Sequence, residues 1–529
     1  MECRLDPRQP CSGEEVLSVT DLPTRLVEIS DTKASYARVI KVAALGSQEQ
    51  DNISKSGFLA LSYCWGGDQP VKLTEDTAQT LEEGFSVEIL PKTLRDAIKY
   101  TSILDMKYIW IDALCIPQDD GYEKEVEISR MPLYYRKNTA TLCAASAEAC
   151  DVGFLGREFA FPFRAGPFEI SMKTSDGIGA VLLYDTLEVS TPTTFRAWTL
   201  QESLLSRRLL IFSPGYLAWC CLRGNASCGG PFGTLSRRNM GDPPSLSRDI
   251  YPLEVLEDMP ARVQWEKVVE NYTRRGLTNQ GDKLLAVAAV ASVIHAMDLN
   301  RDRRSSVYLA GLLTELKNGQ VASDSFSGAL SWMAVQPTAT RAIYFCAPSW
   351  SWACIDGVIE PNTSLVTRTD RSRLGRVKHR FQVLDYGVDL TVPAAPYGSV
   401  TGGYLKIKGL IWALHDFEGV RVDIEESPWD SGRAPVPPGE WRVTLYPDTK
   451  EDTILIENAQ RKAGEVFLLE TRLNFEPPLS SGLLVAREPS QGAFRRIGLF
   501  RHDLRGGPDD QILNQVVLSN NNVRELLLV

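Results

Sequence analysis

Two apolar runs in the first quarter of the chain, residues 58–63 and 107–112, end abruptly in polar and reactive side chains. A segment with helical periodicity separates them. Strand, helix and strand in this order favour right-handed crossovers and a parallel sheet with helices on both faces. Ligands of such sheets bind beyond the carboxyl ends of the strands. The pattern therefore predicts an α/β core with a pocket at one edge of its sheet.

Side chains that can bind or react follow both predicted strands. Asp112 is a candidate site residue or the acceptor that holds the following turn. Cys115 is a candidate nucleophile or, since no histidine is near it in sequence, a packed thiol. Trp65 suits stacking on a planar ligand or plugging the core, and Gly66 permits close backbone approach. The candidates at the two strand ends are Ser62, Trp65, Gly66, Asp112, Cys115 and Gln118.

A third segment, residues 196–202, also contains candidate ligand-binding side chains. Trp198, Gln201 and Glu202 can line the same pocket from a different part of the chain. An aromatic core anchor followed by a capping carboxylate explains them equally well. Both interpretations stay open at the level of sequence.

The helices of the predicted core follow from periodicity and capping signals. One helix is expected to begin near Pro91, where Thr93 followed by Asp96 resembles an N-terminal cap. A second is expected over residues 122–137, and Pro132 should kink or end it because proline lacks a backbone donor. Further strands are predicted at residues 24–29, 139–145, 208–213 and 216–221.

The rest of the chain changes character twice. Residues 224–248 are rich in Gly, Pro, Ser and Asn and mark a boundary. We predict an α/β core over residues 1–225, a loop and helical region over 226–375, and a β-rich region over 376–529. Helices are expected at about 261–275 and 282–296. Antiparallel strands are expected at 404–412, 441–446, 465–470, 482–486 and 494–500.

Composition excludes several classes of protein. A net charge of -10 disfavours nucleic acid as a ligand, because phosphate binding needs clustered Lys and Arg. The amino terminus lacks a secretory signal, and no window of eighteen or more apolar residues is present, so we expect no membrane span. The eleven scattered cysteines suit reduced thiols, and no zinc-binding spacing occurs. A cytosolic or nuclear location is expected, with the cytoplasm preferred, and no metal.

Four sequence blocks, taken in order, resemble the fungal heterokaryon-incompatibility (HET) domain proteins. Together they cover roughly residues 50–220 and are far more specific than any one of them. Weaker similarity extends to residues 272–278 and 347–353. The four blocks are LALSYCWG at 59–66; LPKTLRDA at 90–97 running into YIWIDALCIPQD at 108–119; Met131 with Tyr134 and Tyr135; and RAWTLQE at 196–202.

The resemblance implies a cytosolic fungal protein of nonself recognition or cell death, with a core distantly similar to TIR domains. Some TIR domains cleave NAD, which would then be a substrate, and no cofactor is implied. In that chemistry a helix glutamate stabilises positive charge at the anomeric carbon while nicotinamide leaves, so one carboxylate can suffice. The matching position is Glu123, which makes it the first catalytic candidate, with Asp112 and Cys115 beside it.

Two departures from the family pattern affect this expectation. Pro117 stands where the family usually has Asn or Asp, and Glu127 stands where it usually has Gln. Glu127 lies one helical turn after Glu123, and a second carboxylate there would raise the pKa of its neighbour if both were buried. The departures predict a changed or lost activity.

Three functions are compatible with these residues. The first is a TIR-like domain that hydrolyses NAD or a related nucleotide. The second is a noncatalytic signalling module that self-associates or binds a signalling partner. The third is an enzyme of small-molecule metabolism on the same scaffold, acting through Cys115 or Asp112. The chain contains no nucleophile-elbow, P-loop, zinc-protease or dinucleotide-binding motif.

Overall fold

The computed structural model describes two compact units, Met1–Asp258 and Met259–Val529. Each unit is described separately below. The description covers residues 17–30, 34–119, 121–156, 168–174, 177–183, 191–213, 216–221, 224–228, 261–302, 305–335, 339–361, 377–393, 395–417, 420–425, 442–460, 465–475, 478–488, 492–503 and 523–529. The segments at 229–248 and 362–376, which include most of the predicted boundary, lie outside the described residues.

The first unit alternates strands and helices. Its strands are β1 (Arg25–Ile29), β2 (Tyr36–Lys41), β3 (Leu59–Ser62), β4 (Phe85–Ser86), β5 (Tyr108–Trp110), β6 (Ala140–Cys143), β7 (Phe168–Thr174), β8 (Gly177–Leu183), β9 (Arg208–Ser213), β10 (Tyr216–Cys221) and β11 (Gly224–Cys228). Its helices are α1 (Ser47–Ser56), α2 (Glu75–Glu83), α3 (Lys92–Ile103), α4 (Asp112–Cys115), α5 (Tyr122–Lys137) and α6 (Ala197–Leu205).

A nine-stranded sheet forms the centre of the first unit, in the order β11-β10-β9-β6-β3-β5-β1-β2-β4. The four strands β5, β3, β6 and β9 are parallel to one another. The strands on either side of them pair antiparallel. The predicted α/β class is therefore confirmed, while the expected parallel sheet is a mixed sheet with antiparallel edges. The edges form because short hairpin connections join β1 to β2 and β9 to β10 to β11.

Helix α5 has the predicted bounds, and it continues through Pro132 to Lys137. The proline therefore does not end the helix. Its last turn is anchored by two buried tyrosines, since Tyr134 donates a hydrogen bond to Glu127 and Tyr135 donates one to the backbone carbonyl of Leu61. These tertiary contacts compensate for the backbone hydrogen bond that proline cannot make.

The cap predicted for helix α3 is wrong. The helix begins after Pro91, which makes no side-chain cap. The Thr93 hydroxyl instead donates to the backbone carbonyl of Ala149 at 3.1 Å. Asp96 accepts from the backbone N–H groups of Phe154 and Leu155 at 2.8 and 2.9 Å. Both side chains therefore hold the loop after β6, a long-range role that sequence spacing does not reveal.

The second unit contains four helices and sixteen strands among its described residues. The helices are α7 (Ala261–Thr273), α8 (Ala288–Asp302), α9 (Ser323–Ala329) and α10 (Lys450–Ala459). The strands are β12 (Ser305–Leu309), β13 (Leu312–Lys317), β14 (Gln320–Val321), β15 (Trp332–Ala334), β16 (Thr340–Arg341), β17 (Ile355–Asp356), β18 (Ile359–Pro361), β19 (Val377–His379), β20 (Phe381–Leu390), β21 (Val400–Ala413), β22 (Arg421–Ile424), β23 (Arg442–Pro447), β24 (Val466–Phe475), β25 (Pro478–Arg487), β26 (Phe494–Asp503) and β27 (Val523–Leu528).

The predicted β-rich C-terminal region is confirmed as a nine-stranded sheet built mostly of antiparallel pairs. The middle region is less helical than expected, because the small antiparallel sheets of β12 to β18 accompany α7, α8 and α9. An apolar cluster from β23, β24, β25, β26 and α10 forms a core of the C-terminal sheet. Within the described residues, no helix is both long and apolar enough to cross a membrane.

A fully buried arginine, Arg496, joins separate parts of the second unit. Its guanidinium donates to both carboxylate oxygens of Asp448 at 3.1 Å. It also donates to the backbone carbonyls of Leu330 and Trp332, at 2.6 and 2.5 Å, and lies 3.3 Å from the centre of the Trp332 ring. A buried cation is tolerated where its hydrogen bonds and charge are met in this way.

We expect Arg496→Met to destabilise the second unit by about 3–5 kcal/mol, because it leaves Asp448 and two carbonyls without their donor. Arg524→Met, at an exposed position of β27 in the same sheet, should change the free energy of unfolding by less than about 0.5 kcal/mol. Hydrogen-exchange protection of peptides from β23 and β26 measures both effects. Equal protection in the two variants would contradict the assigned role of Arg496.

Candidate functional site

The ends of β3 and β5 meet through a hydrogen bond between two of the predicted residues. The indole Nε1 of Trp65 donates to Oδ2 of Asp112 at 2.9 Å. Asp112 is the first residue of α4, and its Oδ1 accepts from the backbone N–H of Ala113 at 2.7 Å. The two side chains are neighbours because β3 and β5 are parallel and adjacent, so their carboxyl ends lie at the same edge. Trp65 and Asp112 are both half-buried.

Glu202, on α6, is a second carboxyl group in this region. It is buried, and its pKa is raised from 4.5 to about 7, first because burial penalises the charged form. The Ser62 hydroxyl acts in the opposite direction, the charge of Asp112 raises the pKa further, and the charge of Arg196 lowers it. Oε2 of Glu202 and Oγ of Ser62 have no partner at full hydrogen-bond distance among the described residues, yet they are close enough to interact.

Arg196 brings positive charge to the two carboxyl groups. Its guanidinium donates to the backbone carbonyl of Tyr63, the residue after β3, at 2.8 Å. Burial raises the pKa of Asp112, and the hydrogen bond from Trp65, the Ala113 N–H and the charge of Arg196 lower it. Arg196 is half-buried. The candidate site is therefore defined by Ser62, Tyr63, Trp65, Asp112, Arg196 and Glu202.

Two of these residues, Tyr63 and Arg196, were not among the predicted site residues. Burial, followed by the charge of Asp112 and a hydrogen bond to it, raises the pKa of the Tyr63 phenol well above its usual value. Arg196 is the first residue of the RAWTLQE block. The sequence of that block could have identified Arg196, since a lone arginine in the same motif as a glutamate suggests charge compensation. The spacing alone does not say which carboxylates it faces.

The cysteines near the site are packed thiols. Cys115 is fully buried, and burial raises its pKa to about 12. Burial likewise raises the pKa of Cys143, at the end of β6, to about 12, and that of Cys64 above its usual value. A thiol with such a pKa is protonated at neutral pH and is a weak nucleophile. All eight cysteines whose burial the structure describes are free and buried.

Gly66 lets two loops pack against each other. Its φ of +73° is in the left-handed region that favours glycine, and an added Cβ would lie 2.2 Å from the Cβ of Ala149. The backbone N–H of Cys150 donates to the carbonyl of Trp65 at 3.2 Å. The close approach expected at Gly66 is thus made by this protein's own backbone.

The remaining predicted ligand residues are Gln118 after α4 and Trp198 and Gln201 on α6. The side-chain amide of Gln118 donates to the backbone carbonyls of Asp112 and Ile116, at 3.2 and 2.8 Å, and so holds the loop after α4. Gln201 is buried on α6, beside Glu202 in sequence, and Trp198 is half-buried on the same helix. Gln118 thus supports the position of Asp112 through the backbone.

Glu123 lies apart from this cluster. It pairs with Arg25 of β1 at 2.6 Å, and 57% of its side chain is exposed. Glu127 is buried and accepts hydrogen bonds from Thr24 at 2.6 Å and from Tyr134 at 3.0 Å. Neither carboxylate is hydrogen-bonded to Trp65, Asp112 or Glu202 in the described contacts. The structure brings Ser62, Trp65, Asp112 and Glu202 together, whereas Glu123 pairs with Arg25 of β1.

This arrangement can support acid–base chemistry on a small polar ligand. A carboxyl group with a pKa of about 7 exchanges a proton readily at neutral pH. Asp112 and Arg196 supply opposite charges next to it, and the Trp65 ring offers a surface for stacking. Among the described residues, no group of three or more His, Cys, Asp or Glu side chains is arranged to hold a metal ion.

The fold and site define an α/β protein with a carboxyl-rich centre at the strand ends of a mixed sheet. Residues 58–202, a little over a quarter of the chain, match the model of the family described as heterokaryon incompatibility protein (HET). This segment is identified as a HET domain, which confirms the resemblance found in the sequence. It contains every residue of the candidate site. No curated protein and no solved structure matches the chain.

We expect Gly66→Ala to destabilise the first unit by at least about 2 kcal/mol more than Gly156→Ala. Both glycines have a φ near +70°, but an added Cβ at Gly156 meets nothing within 4 Å. The control therefore carries the backbone strain, about 1–2 kcal/mol, without the clash against Ala149. Chemical denaturation of each variant measures the difference. Equal stabilities would show that the contact with Ala149 relaxes freely.

We expect Glu202 to make the first unit less stable as the pH rises. Its folded pKa of about 7 lies above its ordinary value of 4.5, so the folded state holds the proton more tightly, and that stabilisation is lost as the pH rises from about 4.5 through 7. The loss should reach about 3 kcal/mol. Hydrogen exchange in α6 peptides at pH 5 and pH 8 measures it. Glu202→Gln should abolish this component, and an unchanged pH dependence in the variant would contradict the assignment.

Proposed function

We propose that this chain acts in heterokaryon-incompatibility-type nonself recognition or cell-death signalling in fungi, and that it hydrolyses the nicotinamide–ribose bond of NAD or a related nucleotide. The HET match over residues 58–202 supports the signalling role. The observation that carries the catalytic part is the interaction of two carboxyl groups beside Arg196, the half-buried Asp112 at the end of β5 and the buried Glu202 of α6. A TIR-like relationship of the core belongs to the same proposal.

The chemistry needs a negative charge beside the ribose while nicotinamide departs. The leaving group needs no proton, so one carboxylate can stabilise the oxocarbenium-like transition state, and a second can orient the water that attacks. Glu202 suits the second role, because a base with a pKa near 7 accepts a proton at neutral pH. Asp112 suits the first, with Trp65 holding the carboxylate and offering its ring to a planar base.

Arg196 has two roles in this proposal. Its charge keeps part of the carboxyl population ionised, because it lowers the pKa of both Asp112 and Glu202. It is also a half-buried guanidinium that can pair with a nucleotide phosphate. Phosphate binding would withdraw some of that charge from the carboxyl groups, so substrate and protonation state would be coupled.

The helix glutamate suggested by the family resemblance, Glu123, serves this chemistry less well. It is more than half exposed and paired with Arg25, so the solvent screens its charge. An exposed carboxylate cannot exclude water from the reacting centre. Glu202 provides a helix carboxylate in a buried setting, so we assign the reactive role to Glu202 in place of Glu123.

We expect purified full-length protein to release nicotinamide from NAD and Glu202→Gln to lower that rate by about 100-fold or more, because it removes a general base without changing side-chain shape. Glu123→Gln, the matched control on α5, should retain the rate within about threefold. Chromatographic separation of NAD, nicotinamide and ADP-ribose provides the measurement. Circular dichroism and thermal unfolding establish that both variants are folded.

Two results would contradict this assignment in different ways. If Glu123→Gln loses turnover while Glu202→Gln retains it, Glu123 of α5 is the catalytic glutamate. No turnover by the folded wild-type protein would remove the catalytic part and leave the signalling role. In that case light scattering over a range of concentrations tests the noncatalytic alternative, in which the chain self-associates.

A further inference from the structure

A histidine and an arginine stand opposite each other on two strands of the C-terminal sheet. His379 of β19 and Arg472 of β24 are direct cross-strand partners, so their side chains project from the same face. Both are half-buried. Nδ1 of His379 and Nε of Arg472 are buried and have no hydrogen-bond partner among the described residues. The Nε of Arg472 is always a donor, and Nδ1 of His379 is a donor in one tautomer of the ring. A buried donor without a partner is costly, so this face favours an acceptor.

The electrostatic environment of this face is positive. Burial lowers the pKa of Arg472, and the charge of Arg262 on α7 lowers it further. Burial also lowers the pKa of His379, followed by the charge of Arg472; Lys317 acts in the same direction, and Asp324 opposes them. Each of these basic groups makes it harder for its neighbours to hold a positive charge. An anion at this face would relieve all of them together.

The carboxylates nearby are already engaged with other cations. Glu266 pairs with Arg262 one helical turn away on α7. Asp324 of α9 pairs with Lys317 of β13 at 2.6 Å. Among the described residues, no ion pair joins a carboxylate to Arg472. Within the part of the chain that the structure describes, the guanidinium of Arg472 is therefore a partly buried charge with no carboxylate paired to it, an arrangement that favours binding of an anion.

We propose that His379 and Arg472, with Arg262 beside them, form a binding site for a phosphate-type oxyanion in the second unit. A guanidinium presents parallel N–H donors that match two oxygens of a phosphate, and an imidazole N–H can donate to a third. A dianion also neutralises more of the excess charge than a carboxylate does. The site is independent of the proposed NAD chemistry, since all of its residues belong to the second unit.

Calorimetric titration of the full-length protein with inorganic phosphate, at constant ionic strength set with chloride, tests the proposal. We expect saturable binding, weakened about tenfold or more in Arg472→Gln and about threefold or more in His379→Gln. Lys408→Gln is the control, because Lys408 is an exposed cation on β21 of the same sheet, and it should bind phosphate like the wild type. If Arg472→Gln does not fold, the comparison of His379→Gln with Lys408→Gln decides.

Two further titrations identify the form of the anion. Methyl phosphate that binds as tightly as phosphate supports a site for a phosphoryl group carried on a larger molecule, and weaker binding supports free phosphate. Acetate should bind at least about tenfold more weakly than phosphate. The proposal is overturned if phosphate does not bind, if acetate binds equally well, or if phosphate binds the folded Arg472→Gln and His379→Gln variants as it binds Lys408→Gln.

Discussion

The electrostatic interaction between two carboxyl groups, Asp112 at the end of β5 and Glu202 of α6, is the constraint on which the proposed site depends. The charge of Asp112 raises the cost of ionising Glu202, and burial raises the pKa of both carboxyl groups. The charge of Arg196 and the hydrogen bond from Trp65 reduce it. The result is that one carboxyl group of the centre, Glu202, has a pKa of about 7.

The loops around this centre are fixed by contacts that have no chemical role of their own. Gly66 allows the loop after β3 to touch Ala149, and Thr93 and Asp96 hold the same second loop from α3. Gln118 fastens the turn that follows Asp112. Each anchor restrains backbone that carries or borders a site residue. Such support keeps the geometry of a site within narrow limits. It explains why polar side chains that resemble caps or ligands in the sequence instead form hydrogen bonds to the backbone.

Periodicity predicted the elements of the core better than it predicted their partners. The bounds of α5, β9 and β10 follow directly from the sequence, because apolar spacing reflects burial along one element. The hydrogen bonds of Asp96 and the pairing of Arg496 with Asp448 join residues 58 and 48 positions apart, which no local pattern encodes. The sequence motif predicts that Glu202 belongs to the site. Its raised pKa, however, depends on burial by other segments of the chain.

The contrast between Glu123 and Glu202 shows why residue type and helical position do not by themselves define a reactive carboxylate. Both are glutamates on helices of the same unit, yet Glu123 is more than half exposed against Arg25, whereas Glu202 is buried beside Asp112. Glu127, the departure that suggested a second carboxylate coupled to Glu123, instead bonds to Thr24 and Tyr134 and anchors the N-terminal strand region to α5. Glu123 pairs with Arg25 near the surface while Glu127 is buried among other partners, so the two carboxylates make separate contacts. The Glu127 departure therefore has a structural role here, because its carboxylate joins Thr24 to Tyr134 in the last turns of α5.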